Sequence, residues 1–302
     1  MDQVITKFQK LTLSWRYYLA LCKPRVILLI VFTAMVGQLL ASTDETRWTL
    51  ILFSTLGIGL AAAAGAAINH WADRRVDAVM ARTRNRPLPQ SEISPRSALV
   101  FALVIASLSM AILFVEVNLL TTVLTFLSMV GYSVIYTLYL KYATPHNIVL
   151  GGASGAAPPL LGWTAITGEV GVEAVILFLI VFLWTPPHFW ALAIKRREEY
   201  AKAKIPMLPV THGVAHTKRQ ILVYTLLLTG ITLLPFLIGM SGILYLTGSM
   251  VLGARFIWYA VKLKTGGDDD FAGKTFKFSI LYLSLMFGLL LLDHYLQLVV
   301  IS

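Results

Sequence analysis

Apolar runs close to the roughly 20 residues needed to cross a bilayer recur along this chain, separated by short polar connections. They predict about nine membrane-spanning helices, at 24–41, 49–70, 97–115, 118–139, 147–166, 173–194, 220–239, 242–262 and 278–300. No connection is long enough to hold a soluble domain, so the expected fold is all-α, a polytopic membrane helix bundle forming one domain over residues 1–302. Residues 1–23 mix Lys7, Lys10, Arg16 and Lys23 with Phe8, Leu11, Leu13, Trp15, Tyr17 and Tyr18, which predicts an amphipathic helix lying at the cytoplasmic interface.

Composition strengthens this picture. Hydrophobic residues make up 57% and charged residues 13% of the chain, with a mean hydropathy of +0.75. An ordinary soluble domain carries about 25% charged residues. A net charge of +10 would suit nucleic acid binding, but its placement argues for membrane topology. Every Lys and Arg except Arg47 and Arg255 lies in, or within two residues of, the N-terminal segment or an even-numbered connection. By the positive-inside rule the N-terminus is cytoplasmic and the C-terminus lies outside. No cleavable signal or transit segment is evident, so a bacterial plasma (inner) membrane is expected. Cys22 is the sole cysteine, which excludes an intramolecular disulfide and a cysteine metal cluster.

The longest polar connections, 71–96 and 195–219, fall on the same side, after the second and sixth spans. Four helices thus separate them, although no residue-level repeat accompanies the spacing. Small residues cluster at Gly57, Gly59 and 61–65, and again at Gly151, Gly152, Gly155, Ala156 and Ala157 beside Pro158 and Pro159. Two readings stand: close helix packing, or a cavity for a large flat ligand.

The first connection carries the chemistry. It reads Asn69-His70-Trp71-Ala72-Asp73-Arg74-Arg75-Val76-Asp77, followed by Arg82-Thr83-Arg84-Asn85-Arg86-Pro87-Leu88-Pro89. Residues four apart on a helix rise about 6 Å and drift only about 40° per step. Asn69, Asp73 and Asp77 therefore present oxygen ligands on one face. Arg74, Arg75, Arg82, Arg84 and Arg86 follow closely. Hard oxygen donors beside guanidinium groups suit a Mg²⁺-bound diphosphate. At the boundary of an apolar bundle, an isoprenoid diphosphate fits best, its head on metal and Arg and its tail among the helices. Breaking the carbon–oxygen bond then releases diphosphate and leaves an allylic cation, which a dry pocket protects from water.

The second connection reads Lys195-Arg196-Arg197-Glu198-Glu199-Tyr200-Ala201-Lys202-Ala203-Lys204, again combining carboxylates, cations and a Tyr. A third polar segment, 262–274, contains Asp268, Asp269 and Asp270 after two glycines and reads as a solvated turn. Arg255 and Asp293 lie inside expected spans. They either pair with one another or meet the charged groups of a bound ligand.

The Asn-x-x-x-Asp-x-x-x-Asp element resembles the first signature of the UbiA-type intramembrane prenyltransferase superfamily. Finer wording resembles its haem-farnesylating members: Leu21-Cys22-Lys23-Pro24-Arg25-Val26, Met80-Ala81-Arg82-Thr83-Arg84-Asn85-Arg86-Pro87-Leu88, Thr185-Pro186-Pro187-His188-Phe189-Trp190, and Ile205-Pro206-Met207-Leu208-Pro209. The resemblance implies transfer of a farnesyl group from farnesyl diphosphate to a vinyl carbon of haem B, giving haem O for a haem-copper terminal oxidase. It implies Mg²⁺ on Asn69, Asp73 and Asp77, with Arg82, Arg86 and Arg84 on the diphosphate. Many relatives place a second Asp-x-x-x-Asp in the later loop, where this chain has Glu198, Glu199 and Tyr200. Lys195, Arg196 or Lys204 is expected to supply the charge of a second metal, with Glu199 orienting it. His188, among Pro, Phe and Trp, whose aromatic rings could stack on the porphyrin, is the best candidate for an iron ligand, ahead of His70, His146, His212, His216 and His294; the competing reading is a hydrogen-bonded structural histidine. The rival readings are a superfamily member alkylating an aromatic quinone precursor and a membrane transporter.

Overall fold

A computed structural model describes residues 15–43 and 45–301. The expected interfacial helix is therefore seen only from residue 15, where a short helix runs to residue 21; residues 1–14 lie outside the described part. Nine long helices follow among the described residues: α1 (Pro24–Ala41), α2 (Trp48–Asp77), α3 (Pro95–Glu116), α4 (Leu119–Ala143), α5 (Asn147–Thr167), α6 (Val172–Lys195), α7 (Gly213–Leu237), α8 (Ile243–Thr265) and α9 (Asp269–Ile301). There is no strand among the described residues. Eight of these helices are long and apolar enough to cross a membrane. The ninth, α5, is diluted by its glycines, its alanines and the pair Pro158 and Pro159. The chain is an integral multi-pass membrane protein.

Helix ends follow local chemistry. Pro24 and Pro95 occupy first-turn positions, where a missing N–H costs nothing. Ser94 accepts a hydrogen bond from the Ser97 N–H at 3.0 Å and so caps α3. Asp268 does the same for the Phe271 N–H at 2.8 Å, and Asp269 and Asp270 fall in the first turn of α9. Residues 266–268 form the solvated turn expected there, and the acids beside it also cap and pair. Asp270 pairs with Lys195 at 3.0 Å and Asp269 with Arg197 at 3.5 Å, fastening the start of α9 to the loop after α6.

Asp293 does not meet Arg255. It is buried and accepts hydrogen bonds from the Gly242 and Tyr245 N–H groups, at 2.5 and 3.0 Å, and from Gln297 at 2.7 Å. Its carboxylate satisfies otherwise orphaned donors at the start of α8 and complements the helix dipole there.

α1 packs on α5, α5 on α6, α6 on α7 and α9, and α9 returns to α1. The main core gathers Leu177, Ile180, Trp184, Tyr245, Phe256, Tyr282 and Phe287. Most of the small-residue clusters serve close packing. A Cβ on Gly37 would collide with the Pro159 carbonyl, and one on Gly162 with that of Ala34, so α1 and α5 cross backbone to backbone. Gly151 faces Tyr136 and Gly152 faces Thr185, whereas Gly155 borders open space.

α4 departs from the expected geometry. From Gly131 to Leu140 it widens into a π-helix. Such segments are rare and occur frequently at functional sites.

Candidate diphosphate site at one end of the bundle

α2 continues seven residues past the expected end of its span, carrying Asn69, Asp73 and Asp77 on one uninterrupted helix. All three are buried, at 5%, 5% and 4% exposure. Asn69 Nδ2 donates to Asp73 Oδ2 at 2.9 Å and to Thr137 Oγ1 at 3.1 Å. A cation from a different segment meets each of the three. Lys23 Nζ lies 2.6 Å from Asn69 Oδ1, Lys141 Nζ lies 2.7 Å from Asp73 Oδ1, and Arg86 lies 2.8 Å from Asp77 Oδ2. Tyr142 OH adds a long contact of 3.4 Å to Asp73.

Widening of α4 explains how it reaches this cluster. Tyr132, Thr137 and Tyr142 are spaced by five, and they contact Lys23, Asn69 and Asp73 respectively. An α-helix turns about 100° per residue, which would point residues five apart in clearly different directions. The i→i+5 geometry from Gly131 to Leu140 brings Tyr132 and Thr137 towards one side, and Tyr142 follows in the short α-helical turn after it. Lys23 is held by a second unusual conformation, φ 52° in the left-handed region, directly before Pro24. Burial, with Arg86 nearby, pulls its ammonium down to about 7 against the opposing pull of Asp73 and Asp77. Sequence reasoning did not select Lys23, Lys141, Tyr132, Thr137 or Tyr142. Lys141 is the one basic residue of the fourth connection, a position that by itself signals only topology.

The two long polar connections meet. Met80 and Val76 pack with Tyr200, Ala203, Ile205 and Met207 in one apolar cluster. Tyr200 is buried, and burial raises its hydroxyl pKa, while Arg82 and Arg196 favour the phenolate. Arg82 and Arg84 are exposed at the mouth. Thr83 Oγ1 donates to the Asp77 carbonyl at 3.0 Å, tying that loop to the end of α2.

Of the second loop's cations, Arg196 pairs with Glu199 at 3.1 Å, Lys195 turns to Asp270, and Lys204 is exposed with φ 54°. Glu199 Oε2 is buried and has no hydrogen-bond partner among the described residues. The Asn69–Asp73–Asp77 face fits a divalent hard cation: two carboxylates and an amide oxygen, with water and phosphate completing the shell.

His188 lies in α6, about two turns before its end. Its ring stacks between Trp184 and Phe276, with centroids 4.2 and 4.6 Å away. Those aromatics cover the two faces of the imidazole. His188 Nδ1 lies 2.7 Å from Ser279 Oγ, and Ser279 Oγ donates its only proton to the Phe276 carbonyl at 2.7 Å. Ser279 must therefore accept from His188 Nδ1–H, which leaves a lone pair on Nε2. His70 is buried with both ring nitrogens unpartnered among the described residues.

Known proteins resemble the chain in sequence and in fold. The chain is 56% identical over 292 residues to Protoheme IX farnesyltransferase of Nitrosococcus oceani, covering 97% of this chain and 98% of that one. It is equally identical to Protoheme IX farnesyltransferase of Thioalkalivibrio sulfidiphilus, over 94% of each chain. A structure of digeranylgeranylglyceryl phosphate synthase superposes with a TM-score of 0.79 at 20% identity, covering 93% of this chain and 98% of that one. A UbiA homologue from Archaeoglobus fulgidus, determined bound to DMAPP and Mg²⁺, superposes at 0.67 with 19% identity, covering 90% and 98%. The UbiA prenyltransferase family pattern matches residues 30–287, and the chain belongs to that family.

Proposed function

We propose that this protein transfers the farnesyl group of farnesyl diphosphate to a vinyl carbon of haem B, with addition of water to give haem O and release of diphosphate. The observation that carries the reading is the buried Asn69–Asp73–Asp77 face, with Lys23, Lys141 and Arg86 each in contact with one of its members. High identity to proteins named for haem farnesylation supports the choice of substrates.

On this reading the diphosphate enters among cations already in place. Lys23, Lys141 and Arg86 shift from the helix's oxygens to those of the ligand, and Arg82 and Arg84 close over it from the mouth. Asn69, Asp73 and Asp77 would hold Mg²⁺, whose charge when bound further stabilises the departing diphosphate. The C1–O bond breaks with its electron pair leaving on the diphosphate. The vinyl π electrons then form the new carbon–carbon bond to C1. The cation produced beside the pyrrole takes water, which loses a proton. Arg196, oriented by Glu199, supplies the positive charge for which other family members use more carboxylates and metal. Tyr200 walls the site with a hydroxyl kept protonated by burial.

His188 Nε2 is the proposed axial ligand of the haem iron, its lone pair fixed by Ser279. The site faces the cytoplasm of a bacterial inner membrane, as the distribution of Lys and Arg implies. Haem O would pass to a haem-copper terminal oxidase. Incubating purified protein and Mg²⁺ with farnesyl diphosphate and either haem B or 4-hydroxybenzoate, with mass spectrometry of the products, tests the assignment. Farnesylated haem is the expected product; prenylated hydroxybenzoate with unreacted haem would overturn it.

A further inference from the structure

Arg255 sits in α8 on a face exposed to lipid, alongside Met250, Val251, Trp258 and Val261. It lies ten residues before Thr265, about 15 Å along the helix axis and thus near the middle of the roughly 30 Å hydrocarbon layer. A charge at that depth is costly unless something compensates it. Among the described residues Arg255 has no ion pair; its guanidinium rests on Trp258 at 4.7 Å and on Tyr259 at 5.5 Å. Trp258 is nearly one turn closer to the polar end, so the side chain leans towards the interface.

Lys262 meets it there. Its ammonium lies 4.9 Å from the same Trp258 ring and 5.2 Å from Phe271, turned back along the protein although the residue is exposed. Two cations thus converge on one indole, and no carboxylate pairs with either of them among the described residues. The faces of aromatic rings attract cations but do not neutralise them. An anion belonging to the bilayer is the missing partner.

We infer that Arg255, Trp258 and Lys262 form a binding site for one anionic phospholipid, with its phosphate between the two cations and its acyl chains along Val251 and Met250. The site lies at the same end of the bundle as the Asn69–Asp77 face but is separate from it. α8 packs on α7 and α9, and the turn after it is held by Lys218, which donates to the Gly267 carbonyl at 2.5 Å.

Native mass spectrometry of the full-length protein, released from micelles holding equal phosphatidylglycerol and phosphatidylcholine, tests the site. Wild type should retain phosphatidylglycerol preferentially. Arg255→Gln/Lys262→Gln should lower that retention about thirtyfold, since each basic residue near an anionic headgroup contributes roughly a factor of five. Trp258→Leu, which keeps both charges, should lower it less, and Lys264→Gln, an exposed cation on the same helix, should not change it. Equal retention of both lipids by wild type, unchanged retention in the double variant, or an equal loss with Lys264→Gln would overturn the inference. Thermal stabilisation by inorganic phosphate alone matching that by phosphatidylglycerol would overturn the assignment to a lipid.

Discussion

Replacing Lys141 with Met should destabilise the ligand-free protein more than any exposed substitution. The side chains keep similar length, but Asp73 loses a partner at 2.7 Å in a place where the two side chains are only 12% and 6% exposed. Coulomb attraction at that distance is about 6 kcal/mol with an effective dielectric constant near 20. Much of this is offset by desolvation, and removing one member of a buried pair costs about 3–5 kcal/mol, because the remaining charge is stranded. Asp73→Asn/Lys141→Met removes both charges and should recover most of that loss. The assay is equilibrium unfolding in mixed micelles, run as a double-mutant cycle with and without Mg²⁺ and diphosphate. If the pair is the ligand-free state of the diphosphate site, ligand should stabilise wild type and narrow its lead over Lys141→Met only in so far as Mg²⁺ takes over neutralising Asp73. A Lys141→Met cost below about 1 kcal/mol, or a double variant as unstable as the sum of the singles, would refute the reasoning.

His188→Ala should abolish the Soret shift seen when wild type binds haem B, and identical bands would defeat axial ligation. Ser279→Ala frees the imidazole to change tautomer and should weaken haem affinity about 10- to 100-fold while leaving diphosphate release near wild type, read by titration in the same spectrometer. Charge reversal by Glu199→Lys should slow diphosphate release, and unchanged kinetics would remove Glu199 and Arg196 from the site. Gly162→Val drives a side chain into the Ala34 carbonyl and should lower the unfolding temperature markedly, whereas Gly155→Ala, which borders open space, should not.

The helical layout was legible because a bilayer imposes one length and one polarity on every span. α2 was the clearest case, since Asn69, Asp73 and Asp77 repeat at the α-helical spacing of four and the structure continues the helix through all of them. α4 was illegible for the converse reason. Tyr132, Thr137 and Tyr142 repeat every five residues, which looks like noise when an α-helical period is assumed; the π-helix accounts for the first two, and Tyr142 lies just past its end. Lys23 and Lys141 were hidden differently. At the end of an apolar run a lysine signals topology, and nothing local shows that its ammonium is directed at a residue 46 or 68 positions away. Ser279 could not be linked to His188 across 91 residues by any sequence period. Asp268, Asp269 and Asp270 are solvated, as three consecutive acids after two glycines suggest. Capping and pairing gave Asp268 a separate role from Asp269 and Asp270.

The most direct measurement is release of inorganic diphosphate from farnesyl diphosphate by Asp73→Ala/Asp77→Ala protein, in the presence of Mg²⁺ and haem B, set against wild type and against Asp268→Ala. The account predicts loss of at least about a hundredfold in the double variant, the scale expected when preorganised charge stabilisation is removed, and near-normal release in Asp268→Ala. Wild-type release from the doubly substituted protein, in a preparation whose folding is verified by its unfolding transition, would contradict it.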